Sequence, residues 1–179
     1  QGGYEEQLSA RGEVIELRND SGVLIDSFTY TGTPTVNQLA LRVTEVNYHP
    51  ADPIGAESAA LPGVVDSDFE FVELKNISGA SIDLGNSSFT EGFEYTFDAS
   101  LSLAAGERII LAKNPAAFSI RYPAVSAPVV GPFQGQLDND GETLRLVDGV
   151  GENILVFTYN DRWYPPSDGG GLSLVIRDD

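Results

Sequence analysis

QLDNDGETLRLVDGVGENILVFTY, residues 136–159, has a second copy in the same chain, QLSARGEVIELRNDSGVLIDSFTY, residues 7–30. The two align without a gap at a constant offset of 129 residues. They are identical at Gln7/Gln136, Leu8/Leu137, Gly12/Gly141, Glu13/Glu142, Leu17/Leu146, Gly22/Gly151, Ile25/Ile154, Phe28/Phe157, Thr29/Thr158 and Tyr30/Tyr159. Matches in this order, closing on Phe-Thr-Tyr, mark a duplication. Each copy reads as a β-hairpin: apolar residues alternate on both sides of a polar turn, Asn19 to Gly22 in the first, which can supply positive φ. One complete domain near the C-terminus and a hairpin copied from such a domain at the start therefore share the chain. This predicts an arm and linker over residues 1–38 and a sandwich over 39–179.

The segments between the copies extend the β pattern. Leu39 to Tyr48 alternates, and Phe69 to Asn76 puts Phe69, Phe71 and Leu74 on the buried side, with Glu70 and Glu73 on or near the other. Ser81 to Leu84, Phe93 to Phe97, Glu107 to Lys113 and Leu172 to Ile176 complete the strands, with glycines at the intervening turns. One stretch reads as a helix: Asn114 as N-cap, Pro115 in the first turn, and Pro123 as its stop. Many short strands without strand–helix alternation predict an all-β sandwich rather than a doubly wound α/β fold.

LRVTEVNYHP, FEFVELKN, SIDLGN, GERIILAKNPAAFSIRY, GETLRLVDG and FTYND, followed by Trp163 and Pro165, together resemble the lamin-tail domain of bacterial extracellular proteins over about residues 39–179. The resemblance implies an immunoglobulin-like β-sandwich with one short helix and, here, an extra N-terminal hairpin. It implies no catalytic activity and a role as an interaction module of a secreted or surface protein. It supplies no catalytic residues.

Composition narrows the function classes. With 27 acidic against 10 basic residues the net charge is −17. Such a surface repels polyanions, so neither nucleic acid nor an anionic membrane is expected as a partner. There is no cysteine, hence no disulfide and no thiolate chemistry. No apolar run approaches the roughly 18 residues that span a bilayer. A chain that starts with Gln1 and lacks Met reads as a mature form or an excised piece.

Candidate chemistry is sparse. His49 is the only histidine, and no nucleophile elbow accompanies it. A lone loop histidine without a role is the expected reading. Asp138, Asp140 and Glu142 fall at alternate positions, as do Asp66, Asp68 and Glu70. Three carboxylates fall short of the six to eight oxygens that calcium takes, and Asp and Asn also build turns. Calcium at 138–142 stands as the alternative to an ordinary turn; no cofactor is required. Trp163, Tyr164, Tyr159 and Phe157 can stack on a sugar face, although Trp163 is expected to pack against the domain.

The arm poses a separate problem. A two-stranded hairpin is marginal alone in water, so Val14, Ile15, Leu17, Ile25, Phe28 and Tyr30 need cover. The sandwich edge of the same chain, a preceding domain of the parent protein, or a neighbouring copy can each provide it. The last of these would make the chain a self-assembling subunit.

Overall fold

A computed structural model describes residues 12–176. The first five pairs of the duplicated stretch, Gln7 to Arg11, and the end expected to be loose, residues 1–6, lie outside the described residues. In chain order the elements are β1 (Glu13–Arg18), β2 (Leu24–Tyr30), α1 (Val36–Ala40), β3 (Leu41–Asn47) and α2 (Gly55–Ala60). Then follow β4 (Phe71–Asn76), β5 (Ile82–Asp83), β6 (Ser88–Glu91), β7 (Phe93–Thr96), β8 (Ser102–Leu103) and β9 (Arg108–Ala112). The chain continues through α3 (Pro115–Arg121), β10 (Val129–Val130), β11 (Gln134–Gly135), β12 (Thr143–Val147), β13 (Asn153–Thr158) and β14 (Leu174–Val175).

Two five-stranded sheets face each other, in the orders β10-β9-β4-β3-β14 and β11-β7-β6-β12-β13. Their inner faces form one core. Leu41, Val43, Val46, Val72, Leu74, Ile109 and Leu111 of the first sheet meet Phe89, Phe93, Leu144, Leu146 and Ile154 of the second. Tyr48 and Tyr159 stack inside it with ring centroids 5.0 Å apart. Aromatic pairs at such spacing add to the hydrophobic gain of their burial.

β4 is covered on both sides, because α3 lies over its outer face. Phe71 packs edge-on against Phe118 and Tyr122 there, while Val72 and Leu74 point to the main core. α3 begins where the sequence placed it: the Asn114 side chain accepts hydrogen bonds from the Ala116 and Ala117 amides, with Pro115 in the first turn. Its last residue, Arg121, grips Glu57 of α2 through Nε at 2.8 Å and Nη2 at 2.7 Å, and lies 3.3 Å above the Phe69 ring centroid. Charge-assisted, two-pronged contacts of this kind are the strong class of hydrogen bond.

Three features depart from the sequence reading. Two more short helices accompany α3. α1 closes the predicted linker with a capping box, in which the Thr35 hydroxyl accepts from the Gln38 amide and Gln38 Oε1 accepts from the Thr35 amide. Glu70 is buried rather than turned out, because a 3-10 turn over Asp66–Phe69 breaks the strand phase before β4 begins. Trp163, expected to pack, is 62% exposed; it lies in a 3-10 turn after β13, off the inner face of either sheet.

Candidate interaction surface

β1 and β2 form a sheet of their own, separate from both sandwich sheets. Their geometry repeats that of β12 and β13. Glu13 to Leu17 pair with Tyr30 to Asp26, and the register then slips by one residue between Leu17 and Arg18. Thr143 to Leu146 pair with Thr158 to Leu155, and the register slips at the equivalent step, Leu146 to Val147.

The turns agree down to single hydrogen bonds. Asn19 Oδ1 accepts from the Ser21 and Val23 amides, and Asp148 Oδ1 accepts from the Val150 and Glu152 amides. The backbone pairs Asn19/Val23 and Asp148/Glu152 close both loops. The entry glycine is also shared: Gly12 and Gly141 both have positive φ, and a Cβ there would lie 2.5 Å from the Tyr30 carbonyl oxygen or 2.6 Å from that of Tyr159. Only glycine tolerates both the angle and the approach.

Burial separates the copies. Leu146 is 0% exposed and Ile154 3%, whereas their counterparts Leu17 and Ile25 are 61% and 60% exposed. Val14 and Phe28 are exposed as well, and Ile15 and Tyr30 are half-buried. Of the predicted hairpin set, then, four side chains stand in solvent and two are partly covered. Tyr30 sits where the arm meets the sandwich. Its phenol is pushed above its ordinary range, first by desolvation and then by the charges of Glu13 and Glu152.

The carboxylates singled out in the sequence make turns. Asp138 Oδ1 accepts from the Asp140 amide at 2.9 Å; Glu142 Oε1 accepts from the Asp138 amide at 2.9 Å and from the Tyr159 hydroxyl at 3.1 Å. Asp68 accepts from the Val65 amide. Among the described residues, no three His, Asp or Glu side chains gather so as to hold a metal ion.

Glu70 accepts from the Leu137 amide at 2.9 Å and lies 3.7 Å from Lys113 Nζ. Burial is the main cause of its carboxyl pKa rising to about 7; Leu137 and Lys113 oppose the rise, while Asp66 and Glu142 add to it. His49 is not idle. Its Nδ1 lies 2.6 Å from Asp168 and its Nε2 4.0 Å from Asp66, so the ring ties the segment after β13 to the end of β3. A nearby bond between the Tyr48 hydroxyl and Ser167 Oγ, 3.1 Å, reinforces that tie.

A groove of about 580 Å³ opens between the free margins of the two sheets, lined by Val43, Glu45, Phe157, Trp163, Tyr164 and Leu174 among others. Glu45, on its floor, has its carboxyl pKa raised mainly by burial and is bonded by the Ser173 hydroxyl. Of the four aromatic residues read in the sequence as able to stack on a sugar, Phe157, Trp163 and Tyr164 belong to this lining, whereas Tyr159 is buried in the core.

Compared with known families, residues 35–161, more than half of the chain, match the Lamin Tail Domain. No curated protein matches the chain.

Proposed function

The chain belongs to the lamin tail domain family, and from that premise we propose that it is a non-catalytic module of a bacterial surface or secreted protein that binds a protein partner through its exposed hairpin. Lamin tail domains are immunoglobulin-like structural domains that mediate protein interactions. One observation carries the proposal: β1 and β2 keep every hydrogen bond of a sandwich hairpin's turn while leaving Val14, Leu17, Ile25 and Phe28 in water. Leu17 and Phe28 share the face that Leu146 and Phe157 turn to the core, and exposed apolar side chains grouped on one face of an ordered element are the mark of a contact surface. The acidic surface supports a partner other than a polyanion, and no helix among the described residues is long and apolar enough to cross a membrane.

Light scattering after size exclusion, over a range of concentrations, tests this on the full chain and on a version starting at Thr33, which removes β1 and β2 but keeps α1 and its cap. Association of the full chain with itself or with a partner fragment of the parent protein, lost on removing the arm, is the expected result. Identical monomers that bind nothing in common or in difference would refute it.

A second reading concerns the groove. Trp163 and Tyr164, 62% and 44% exposed, offer aromatic faces beside an apolar trough, the arrangement that stacks on sugars. Saturable glycan binding abolished by Trp163→Ala would establish it.

A further inference from the structure

The second copy of the hairpin shows what the first is shaped to touch. In the sandwich, β12 is held on one side by β13 and on the other by β6, with Arg145 facing Glu91 and Leu146 facing Phe89. Among the described residues β1 pairs with β2 alone. The edge of β1 away from β2 is the one that β12 gives to β6. Its inward positions, Ile15, Leu17 and Ile25, correspond to Leu144, Leu146 and Ile154, all in the main core.

We propose that the partner of the arm is a sandwich of this same family in which the place of the last hairpin is open, and that residues 13–30 complete it by adding β1 beside its β6-type strand. This rests on the arm being the contact surface. It specifies the partner further through charge. Arg145 binds Glu91 across the β12–β6 pair, with Nη2 to Oε1 at 3.0 Å. The arm carries Glu16 at that position. Seated beside a strand like this chain's own β6, Glu16 would face Glu91, a like-charge pair directly across a ladder, which destabilises it. In the free arm Arg18 holds Glu16, at 2.6 Å.

An acidic residue where this chain has Glu91 therefore disfavours seating the arm, as in an exchange of hairpins between identical copies, whereas a basic residue there would restore, with the charges reversed, the bond that Arg145 makes to Glu91. One position fits less well: Asp26 stands where the half-buried Leu155 packs against the core.

The test uses a full-length chimera in which residues 12–30 replace residues 141–159, an exchange of equal length, together with a second chimera that keeps Leu155. Each is made with and without Glu91→Arg, as is the parent chain, and thermal unfolding is followed by circular dichroism. The expected result is cooperative melting, at least in the chimera that keeps Leu155. Glu91→Arg should raise its midpoint by about 1–4 °C and lower that of the parent by a similar amount, the range set by a single exposed ion pair in a protein of this size.

Failure of both chimeras to melt cooperatively would overturn the proposal, since the arm would then not fit the place its copy fills. So would a Glu91→Arg shift that is absent, or of one sign in parent and chimera alike. Association through the arm in light scattering combined with either failure would leave the arm as a contact surface and remove this partner.

Discussion

Glu70→Gln should reverse part of the pH dependence of stability. The Glu70 carboxyl is buried, and its pKa in the folded chain is about 7 against an ordinary 4.5. A raised carboxyl pKa means that the folded state holds its proton more tightly than the unfolded one. Its contribution to stability is therefore fully present below pH 4.5 and is lost as pH rises through 7. At about 1.4 kcal/mol per pH unit, the difference amounts to at most about 3 kcal/mol between pH 4.5 and pH 8. Gln keeps an oxygen to accept the Leu137 amide and carries no charge to desolvate.

The variant should match the parent near pH 4.5 and exceed it by about 1–3 kcal/mol at pH 8. Urea unfolding at several pH values measures this, followed by far-ultraviolet circular dichroism because Trp163 is too exposed to report on the core. Subtracting parent from variant cancels the other titrating groups. Parallel pH profiles would refute the reasoning, and a variant less stable at pH 8 would show that the Lys113 ion pair outweighs burial.

Leu146→Ala should destabilise the sandwich by about 2–5 kcal/mol, while Leu17→Ala, the same change at the matching position, should alter it by less than about 0.5 kcal/mol; urea titration compares them. Asn76, fully buried, donates to the carbonyls of Ala80, Leu103 and Ala104 and accepts from Ser78. Asn76→Ala should cost about 3 kcal/mol by stranding those groups, visible as a lowered urea midpoint with unchanged slope. Arg121→Lys keeps the charge but loses the fork on Glu57 and the Nη1 contact to the Ala51 carbonyl. A loss of about 2–3 kcal/mol in the same assay is expected, and a loss below about 0.5 kcal/mol would show that the fork geometry is immaterial.

The parts of the fold legible in the sequence are those whose signal is local. The hairpins announce themselves through Asn19, Asp148, Gly22 and Gly151, and α3 through Asn114 and Pro115. α1 was marked too, since Thr35 and Gln38 stand at capping-box spacing, but at five residues it is too short for an apolar period to emerge from a polar linker. β10 and β11 are two-residue pairings fixed by their neighbours and carry no pattern of their own, whereas β14 lies within the strand expected over Leu172 to Ile176. The inward turn of Glu70 and the ties on His49 depend on contacts across 67 and 119 positions of chain, which no local window contains. The candidate surface was legible as a duplication. What the arm leaves exposed became visible only when both copies could be compared at equivalent positions.

The Asn19 turn has a kinetic and entropic consequence. Its side chain fixes the loop from within, which offsets part of the marginal stability of a lone hairpin and would leave less of the arm to be ordered in the contact proposed above. Segments that fold on binding lose several kcal/mol of affinity to ordering, and a preorganised strand pair avoids most of that loss. Encounter can then proceed as a collision of two formed surfaces, and the lifetime of the complex is left to the apolar face of the hairpin.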